Sequence, residues 1–285
     1  MERLVNCNGI TLWCEDFGDP ADPVVLLVMG LGAQGTSWNE AFCSALVEGG
    51  RYVVRFDSRD TGRSDSIDFA ASPYTVTDLA ADAFGVLDAL GVKAAHVVGV
   101  SMGGMVAQEM AIEHPARVLS LTSWMSSPDT PDPSTLDWRV LPGRRAELAP
   151  LVAEMADGLP TTREERVEFM VRLARAATGG GAEFDEAAVR RLVERDIDRA
   201  DGRDATMNHS LAAASSRDRW DLLRGLAVPT LVVHGTEDPI VPFIHAEEMV
   251  RLVPGARLLP LPGVGHDMPR EWQDRIAKEI LAHTA

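Results

Sequence analysis

A serine flanked by glycines lies where a strand pattern gives way to a helix pattern. Residues 99–103 read Gly-Val-Ser-Met-Gly, a G-x-S-x-G string that follows the apolar run 94–98 and precedes a helical pattern from Met102. A serine on such a sharp turn has a strained backbone, and the flanking glycines remove Cβ atoms that would clash. The context predicts Ser101 as a nucleophile exposed above a sheet edge. An inert turn serine is the alternative.

Short apolar runs bounded by Gly, Pro and Asp alternate with helical patterns along most of the chain. The predicted strands are Val24–Val28, Tyr52–Phe56, Ala95–Val100, Val118–Trp124, Thr230–His234 and Arg257–Leu261. Two clear helices are predicted between them, at Asp78–Leu90 and Met102–Glu113. This alternation predicts an α/β fold with a mostly parallel sheet covered by helices on both faces.

The alternation is interrupted over residues 126–225, called here the inserted segment. It carries helical patterns without a clear strand, and Gly179-Gly180-Gly181 predicts a flexible break between two of its helices. Residues 134–222 hold 14 basic and 17 acidic residues, so this part is nearly charge-balanced within a chain of net charge −16. We expect a helical cap at 126–225 over a core formed by 1–125 and 226–285. A solvated helical appendage without a role is the alternative.

A serine nucleophile needs a base to take its proton and a carboxylate to orient that base. Asp238 follows the predicted strand Thr230–His234, and His266 follows Arg257–Leu261, so both would lie at the edge where Ser101 lies. These two residues are the predicted acid and base. The competing carboxylates are Glu237, Asp267 and Asp129, and the competing histidines are His96, His114, His209, His234, His245 and His283.

The motifs GVSMGG, HGTEDPIVP and PGVGHDMP, in this order, resemble those of the α/β-hydrolase superfamily. The segment DSRDTGRS at 57–64 is similar to the family's D-x-R-G-x-G-x-S turn, with Asp60 where glycine is usual. Within the superfamily, several scaffold segments look most like bacterial polyketide methylesterases of the aclacinomycin methylesterase type. The resemblance implies a mostly parallel, twisted sheet flanked by helices with a helical cap insertion. It also implies a Ser101–His266–Asp238 triad.

The resemblance also implies an oxyanion hole made of two backbone N–H groups. Met102, directly after the nucleophile, supplies one, and Leu31, in the loop after the first long strand, is the candidate for the other. Relatives often have His-Gly in this loop, where this chain has Met29-Gly30. A dinucleotide-binding loop is the alternative there, but Gly35 follows Gly32 too closely for G-x-G-x-x-G, so we expect no cofactor.

Large apolar residues near the predicted strand ends indicate a pocket. The predicted pocket residues are Met29, Gly30, Gly32, Trp124 and Met125, with Leu31 and Trp38 nearby and Trp138, Met155, Met170, Met207 and Trp220 in the inserted segment. Most of these belong to the core, and the remainder would line a cleft. This composition favours an uncharged, moderately hydrophobic substrate.

Charge and cysteine content restrict the partners and the compartment. A net charge of −16 argues against nucleic acid and anionic membrane surfaces, which both require a basic patch. The longest apolar run, Val24–Met29, is too short for a signal peptide or a membrane span, so we expect a cytoplasmic protein. A hairpin turning at Asn8-Gly9 would place Cys7 opposite Ile10 and not opposite Cys14, so these two cysteines would not form a disulfide. We therefore expect the cysteines to be reduced. No metal-binding motif occurs, and we expect a monomer or a homodimer.

These observations predict a serine hydrolase that cleaves a small-molecule carboxylic ester through an acyl-enzyme. Polyketide methyl-ester cleavage and lactone opening are alternatives on the same parts, as are C–C bond hydrolysis and cofactor-free perhydrolysis. Dehalogenases and epoxide hydrolases need a carboxylate where Ser101 stands. A ligand receptor on the same fold, with little turnover, is the alternative from another class.

Overall fold

A computed structural model describes residues 1–132, 134–135, 137–156, 158–181 and 183–285, and within them eight strands form one sheet. The strands are β1 Glu2–Cys7, β2 Ile10–Phe17, β3 Val24–Val28, β4 Tyr52–Phe56, β5 Ala95–Val100, β6 Val118–Trp124, β7 Thr230–Gly235 and β8 Arg257–Leu261. Their order is β1-β2-β4-β3-β5-β6-β7-β8. Strands β3 to β8 are parallel, and β1 and β2 are antiparallel additions at one edge.

Helices cover both faces of this sheet. The helices of the described residues are α1 Glu40–Glu48, α2 Val76–Ala89, α3 Met102–Glu113, α4 Ala149–Ala156, α5 Arg163–Ala177, α6 Glu186–Arg199, α7 Thr206–Ala214, α8 Trp220–Arg224, α9 Ile244–Leu252 and α10 Arg270–His283. One apolar core packs α2, α3 and α9 against the sheet, and a second packs α1 and α10 against the opposite face. The predicted α/β class with helices on both faces is confirmed.

The order of the strands creates a crevice at one edge. The chain adds β4 on one side of β3 and β5 on the other, so the loops after β3 and β5 diverge at the carboxyl ends of adjacent strands. In open α/β sheets, ligands bind at such a switch point. The two loops in question carry Met29–Gly32 and Ser101, which were predicted as site residues.

The predicted elements agree closely with the structure, with three shifted boundaries: β7 ends one residue later than predicted, and α2 ends one residue earlier and begins two residues earlier. Helix α2 begins at Val76, two residues before the predicted start, because the Thr75 N–H donates to the Asp78 carboxylate at 2.7 Å and caps the helix. The Asn8-Gly9 hairpin has the predicted register, with Cys7 opposite Ile10. All three cysteines are free and buried.

The inserted segment lies between β6 and β7 and contains α4 to α8. One of its links to the rest of the chain is a buried ion pair, in which Arg199 at the end of α6 donates to Asp57 at 2.6 Å. The Asp57 carboxylate also accepts the N–H groups of Gly35 and Arg63, at 2.8 and 2.9 Å. This contact anchors α6 to the loops after β3 and β4. The division at residues 126 and 225 stays a prediction.

Among the described residues, no helix is long and apolar enough to span a membrane.

The buried histidine His96 predicts how stability depends on pH. Burial, helped by Arg51 and His283, lowers the pKa of His96 on β5 to about 4, and its Nδ1 lies 2.9 Å from Ser120 Oγ. The unfolded chain therefore binds a proton from about pH 6.5 downward while the folded protein does not, so stability falls as the pH drops from 6.5 towards 4. His96→Asn should make this fall shallower, by up to about 1.4 kcal/mol per pH unit. Urea unfolding from pH 4 to 8 measures it, and an unchanged slope contradicts it.

Candidate active site

Ser101 stands on a strained turn between β5 and α3. Its backbone has φ 55° and ψ −122°, outside the regions that side chains normally allow, and its N–H donates to the Trp124 carbonyl at 2.8 Å. A Cβ on Gly103 would overlap the carbonyl oxygens of Val28 and Met29, so α3 can pack this closely on β3 only with glycine there. The turn therefore has the geometry that the G-x-S-x-G string predicted.

The three predicted triad residues are in hydrogen-bond contact. His266 Nε2 lies 3.0 Å from Ser101 Oγ, and His266 Nδ1 lies 2.7 Å from Asp238 Oδ2. These distances suit a base that takes a proton from the serine while a carboxylate holds its other nitrogen. Although Ser101, Asp238 and His266 are far apart in the sequence, the loops after β5, β7 and β8 bring them together at one edge.

Asp238 is buried and well supplied with hydrogen-bond donors. Its Oδ1 accepts the N–H groups of Ile240 and Val241 at 2.9 and 2.8 Å, which leaves Oδ2 for His266. Burial by itself would raise the pKa of Asp238, but the neighbouring His266 and these hydrogen bonds outweigh it, so the pKa lies below its usual value. The carboxylate is therefore ionised at neutral pH and can stabilise an imidazolium.

The competing carboxylates have other partners. Glu237 accepts the Gly180 N–H at 2.7 Å, and Asp267 accepts the Gly265 N–H at 3.1 Å. Asp129, after β6, is buried and accepts the N–H groups of Val140 and Leu141 at 2.8 and 3.0 Å, so it orders the start of the inserted segment. Of the candidate acids, Asp238 is the one in contact with His266.

The competing histidines also have other contacts. His234, fully buried at the end of β7, has its Nε2 2.8 Å from the Val241 carbonyl and shapes the acid loop. Four of the other histidines are in hydrogen-bond contact elsewhere: His96 with Ser120, His209 with Gly32 and Arg59, His245 with Ser127 and Pro142, and His283 with Leu121. The ring of His114 packs on the ring of Phe84.

The loop that carries Leu31 and the first residue of α3, Met102, both lie beside Ser101. A Cβ on Gly30 would lie 3.1 Å from the Ser101 Cβ, which shows how closely the loop after β3 approaches the nucleophile. Met102 opens α3, so its N–H belongs to the unpaired first turn of the helix. Within the described part of the chain, neither the Leu31 nor the Met102 N–H has a hydrogen-bond acceptor. Both donors remain available to a ligand.

A cavity of about 400 Å³ opens onto Ser101 and His266. Its wall is mainly apolar and includes residues from both the core and the inserted segment: Met29, Leu31, Met102, Met105, Met125, Trp138, Leu148, Val152, Met155, Leu173, Met207, Ile240, Val241 and Met268. The predicted pocket residues Met29, Gly30 and Met125 are among the wall residues. Seven methionines give this wall flexible, polarisable side chains.

Two predicted pocket residues lie elsewhere, and those two predictions were wrong. Trp124 is fully buried beneath the sheet edge, with its ring 5.8 Å from Trp38 and 6.0 Å from Phe42, so it belongs to the core. Its position at a strand end did not reveal which sheet face its side chain occupies. Gly32 is not among the residues that line the cavity, and it donates its N–H to His209 Nδ1 at 3.0 Å.

The inserted segment also contacts the loop that carries His266, and the sequence did not predict this contact. The His266 N–H donates to the Ala177 carbonyl at the end of α5, at 2.7 Å. Gly181 donates to the Gly263 carbonyl at 2.9 Å, and a Cβ on Gly179 would overlap that same carbonyl oxygen. The glycine run predicted as a flexible break thus separates α5 from α6 and also packs tightly on the loop that carries His266.

The comparisons with known proteins agree with this geometry. A family model described as the alpha/beta hydrolase fold matches residues 23–269. The chain is 34% identical to the rhodomycin D methylesterase of Streptomyces peucetius, covering 99% of this chain and 97% of that protein. An esterase of Thermogutta terrifontis is 25% identical, with a TM-score of 0.77 and 98% and 96% coverage. An esterase of Exiguobacterium antarcticum superposes with a TM-score of 0.81 at 22% identity, covering 100% and 99%.

Removing each triad side chain should have unequal effects. Ser101→Ala and His266→Ala should lower kcat for p-nitrophenyl butyrate by about 10⁴ or more, because nucleophile and base act as a unit. Asp238→Asn should cost less, since the base remains in place. Glu237→Gln, a neighbouring carboxylate without contact to His266, serves as the matched control and should stay within a few-fold of the unmodified enzyme. Equal, small losses in all three triad variants would rule the triad out.

Proposed function

Because the chain belongs to the α/β-hydrolase family, we propose that it is a serine hydrolase that cleaves a carboxylic ester. The observation that carries the proposal is the continuous hydrogen-bonded line from Ser101 Oγ through His266 to Asp238, at 3.0 and 2.7 Å, at the mouth of an apolar cavity. Ester hydrolysis needs these three groups and a pair of oxyanion donors.

The proposed reaction has two halves. Ser101 Oγ attacks the ester carbonyl while His266 Nε2 takes the serine proton, and the N–H groups of Leu31 and Met102 receive the carbonyl oxygen as it becomes negative. His266 then returns the proton to the leaving alcohol, which leaves an acyl group on Ser101. Water, deprotonated by His266, attacks this acyl group, and His266 then returns the proton to Ser101 Oγ as the carboxylic acid departs. Asp238 keeps His266 oriented and stabilises its positive charge throughout.

The cavity favours an uncharged ester with a bulky apolar acyl part. Its volume of about 400 Å³ falls in the range for sites that enclose drug-sized molecules. Two of the other serine hydroxyls in the wall are engaged within the protein: Ser127 Oγ lies 2.7 Å from His245 Nδ1, and Ser210 Oγ donates to the Thr206 carbonyl at 2.8 Å. Ser126 Oγ, also in the wall, is buried and has no hydrogen-bond partner among the described residues, so it is the polar group there that a substrate oxygen could meet. The methylesterase relative makes a methyl ester the favoured class.

We assign residues 126–225 the role of a cap over this site. Helices α4, α5 and α7 contribute Val152, Leu173 and Met207 to the wall, and α5 holds the His266 loop. Specificity would therefore be set largely by this segment.

The cytoplasmic location is proposed on the state of the thiols. Burial raises the pKa of Cys7 and Cys14 to about 11 and that of Cys43 to about 12, so all three are protonated and unreactive at neutral pH. Free structural thiols fit a reducing compartment. A small-molecule ester remains the proposed partner, with the chain acting as a monomer or a homodimer.

A panel of esters tests the proposal. The enzyme should release p-nitrophenol from p-nitrophenyl butyrate with sustained turnover, and kcat/KM for methyl esters should rise with the apolar size of the acyl group, because a larger group fills more of the cavity. Val152→Trp on α4 should lower kcat/KM for the methyl ester of a fused-ring aromatic acid at least about tenfold while leaving methyl butyrate nearly unchanged.

Ala153→Trp is the matched control, because Ala153 is exposed on the same helix and should leave both esters unaffected. Stoichiometric labelling of Ser101 without turnover would instead favour the ligand receptor. Preferential turnover of a lactone over its open-chain methyl ester would favour the lactonase.

A further inference from the structure

One buried histidine outside the triad joins the inserted segment to the oxyanion loop. His209, on α7, accepts the Gly32 N–H at its Nδ1, at 3.0 Å, and its Nε2 lies 2.9 Å from the Arg59 carbonyl oxygen. The side chain is fully buried, and the edge of the Tyr74 ring packs against it, with 6.4 Å between ring centroids. His209 therefore touches the loops after β3 and β4 from a helix that also lines the cavity.

The two contacts specify the protonation state of the ring. An N–H group faces Nδ1, so this nitrogen must be unprotonated, and a carbonyl oxygen faces Nε2, so this nitrogen must carry the hydrogen. Burial lowers the pKa of His209, against the opposing effects of the Arg59 carbonyl and the carboxylates of Asp60 and Asp204. A neutral ring with hydrogen on Nε2 is the one form that satisfies both neighbours.

The Gly32 contact lies one residue from a proposed oxyanion donor. On one side of Leu31, Gly30 lies close to the Ser101 Cβ. On the other side, Gly32 has φ +68° and donates its N–H to His209. The orientation of the Leu31 N–H depends on these two flanking positions, since the backbone between them has few free torsions. A shift at Gly32 would move the donor relative to the carbonyl oxygen of the ester.

We infer that His209 is a positioning residue, which holds the Leu31 N–H towards the developing oxyanion through its acceptor contact to Gly32. The inference rests on the proposed ester hydrolysis and deepens it. It also gives the inserted segment a part in catalysis, because α7 carries both His209 and the wall residues Met207 and Ser210.

Helix α7 has other anchors that do not involve the oxyanion loop. Asn208 donates to the Asp60 carboxylate at 3.1 Å and to the Ile67 carbonyl at 3.3 Å. Replacing His209 should therefore leave α7 docked on the 57–67 loop. A loss of the Gly32 contact can then be measured separately from a loss of the helix.

Two substitutions separate the two ring nitrogens. His209→Asn places an amide oxygen near the position of Nδ1 and can still accept from Gly32, whereas His209→Gln reaches towards the Arg59 carbonyl and loses the Gly32 acceptor. We expect His209→Gln to lower kcat for p-nitrophenyl butyrate about tenfold to hundredfold, less than the loss of an entire oxyanion donor. KM should change less than about threefold, and His209→Asn should keep most of the activity.

An alkyl trifluoromethyl ketone provides the readout that a purely structural role would not move. Ser101 adds to its carbonyl carbon, and the resulting oxyanion binds the same donors as the transition state. Its affinity should fall in His209→Gln by about the same factor as kcat. The inference would be overturned if both variants lost kcat equally and in proportion to the fall in their thermal unfolding midpoints. It would also be overturned if His209→Gln kept both kcat and the inhibitor affinity unchanged.

If both variants fail to fold, nitrogen NMR of the unmodified enzyme tests whether His209 Nδ1 accepts the Gly32 N–H. Nδ1 of His209 should be unprotonated and hydrogen-bonded, and the Gly32 amide should exchange slowly with solvent. Hydrogen on Nδ1, or rapid exchange at Gly32, would overturn the inference. Failure of the proposed function would show separately, as absence of ester turnover by the unmodified enzyme while these NMR signatures persist.

Discussion

The close approach of α3 to β3 is the constraint on which the rest of the site depends. Because Gly103 lies against the carbonyl oxygens of Val28 and Met29, the chain must turn sharply between β5 and α3, and Ser101 takes the positive φ of that turn. The turn lifts the hydroxyl above the sheet edge and points the free N–H groups of the first helical turn at the same space. The packed sheet and helices supply the stability that maintains this strain.

Electrostatics in the site are concentrated on one line of groups. The cavity wall is largely apolar, so the interactions among Ser101, His266 and Asp238 are poorly screened by solvent. Asp238 stays ionised in this buried position because backbone N–H groups and His266 compensate its charge. The other carboxylates nearby are held by backbone donors of their own. The site thus keeps one charged acceptor for one base.

Local patterns in the sequence predicted the scaffold and the triad. Six strands were identified because buried parallel strands are short apolar runs bounded by turn residues, and Ser101, Asp238 and His266 each follow such a run. What the patterns could not predict depends on side-chain direction and on contacts between distant segments. Trp124 sits at a strand end but faces the core. The Ala177 carbonyl and His209 act through backbone contacts that leave no motif.

In the proposed mechanism, Ser101 carries the acyl group during turnover. Acid quenching of the unmodified enzyme within the first turnover of p-nitrophenyl butyrate, followed by peptide mass spectrometry, tests it most directly. We expect a butyryl group on the peptide containing Ser101, which appears before steady state and disappears as substrate is exhausted. Sustained turnover with no butyryl adduct, or an adduct on a residue other than Ser101, would show that Ser101 is not the nucleophile.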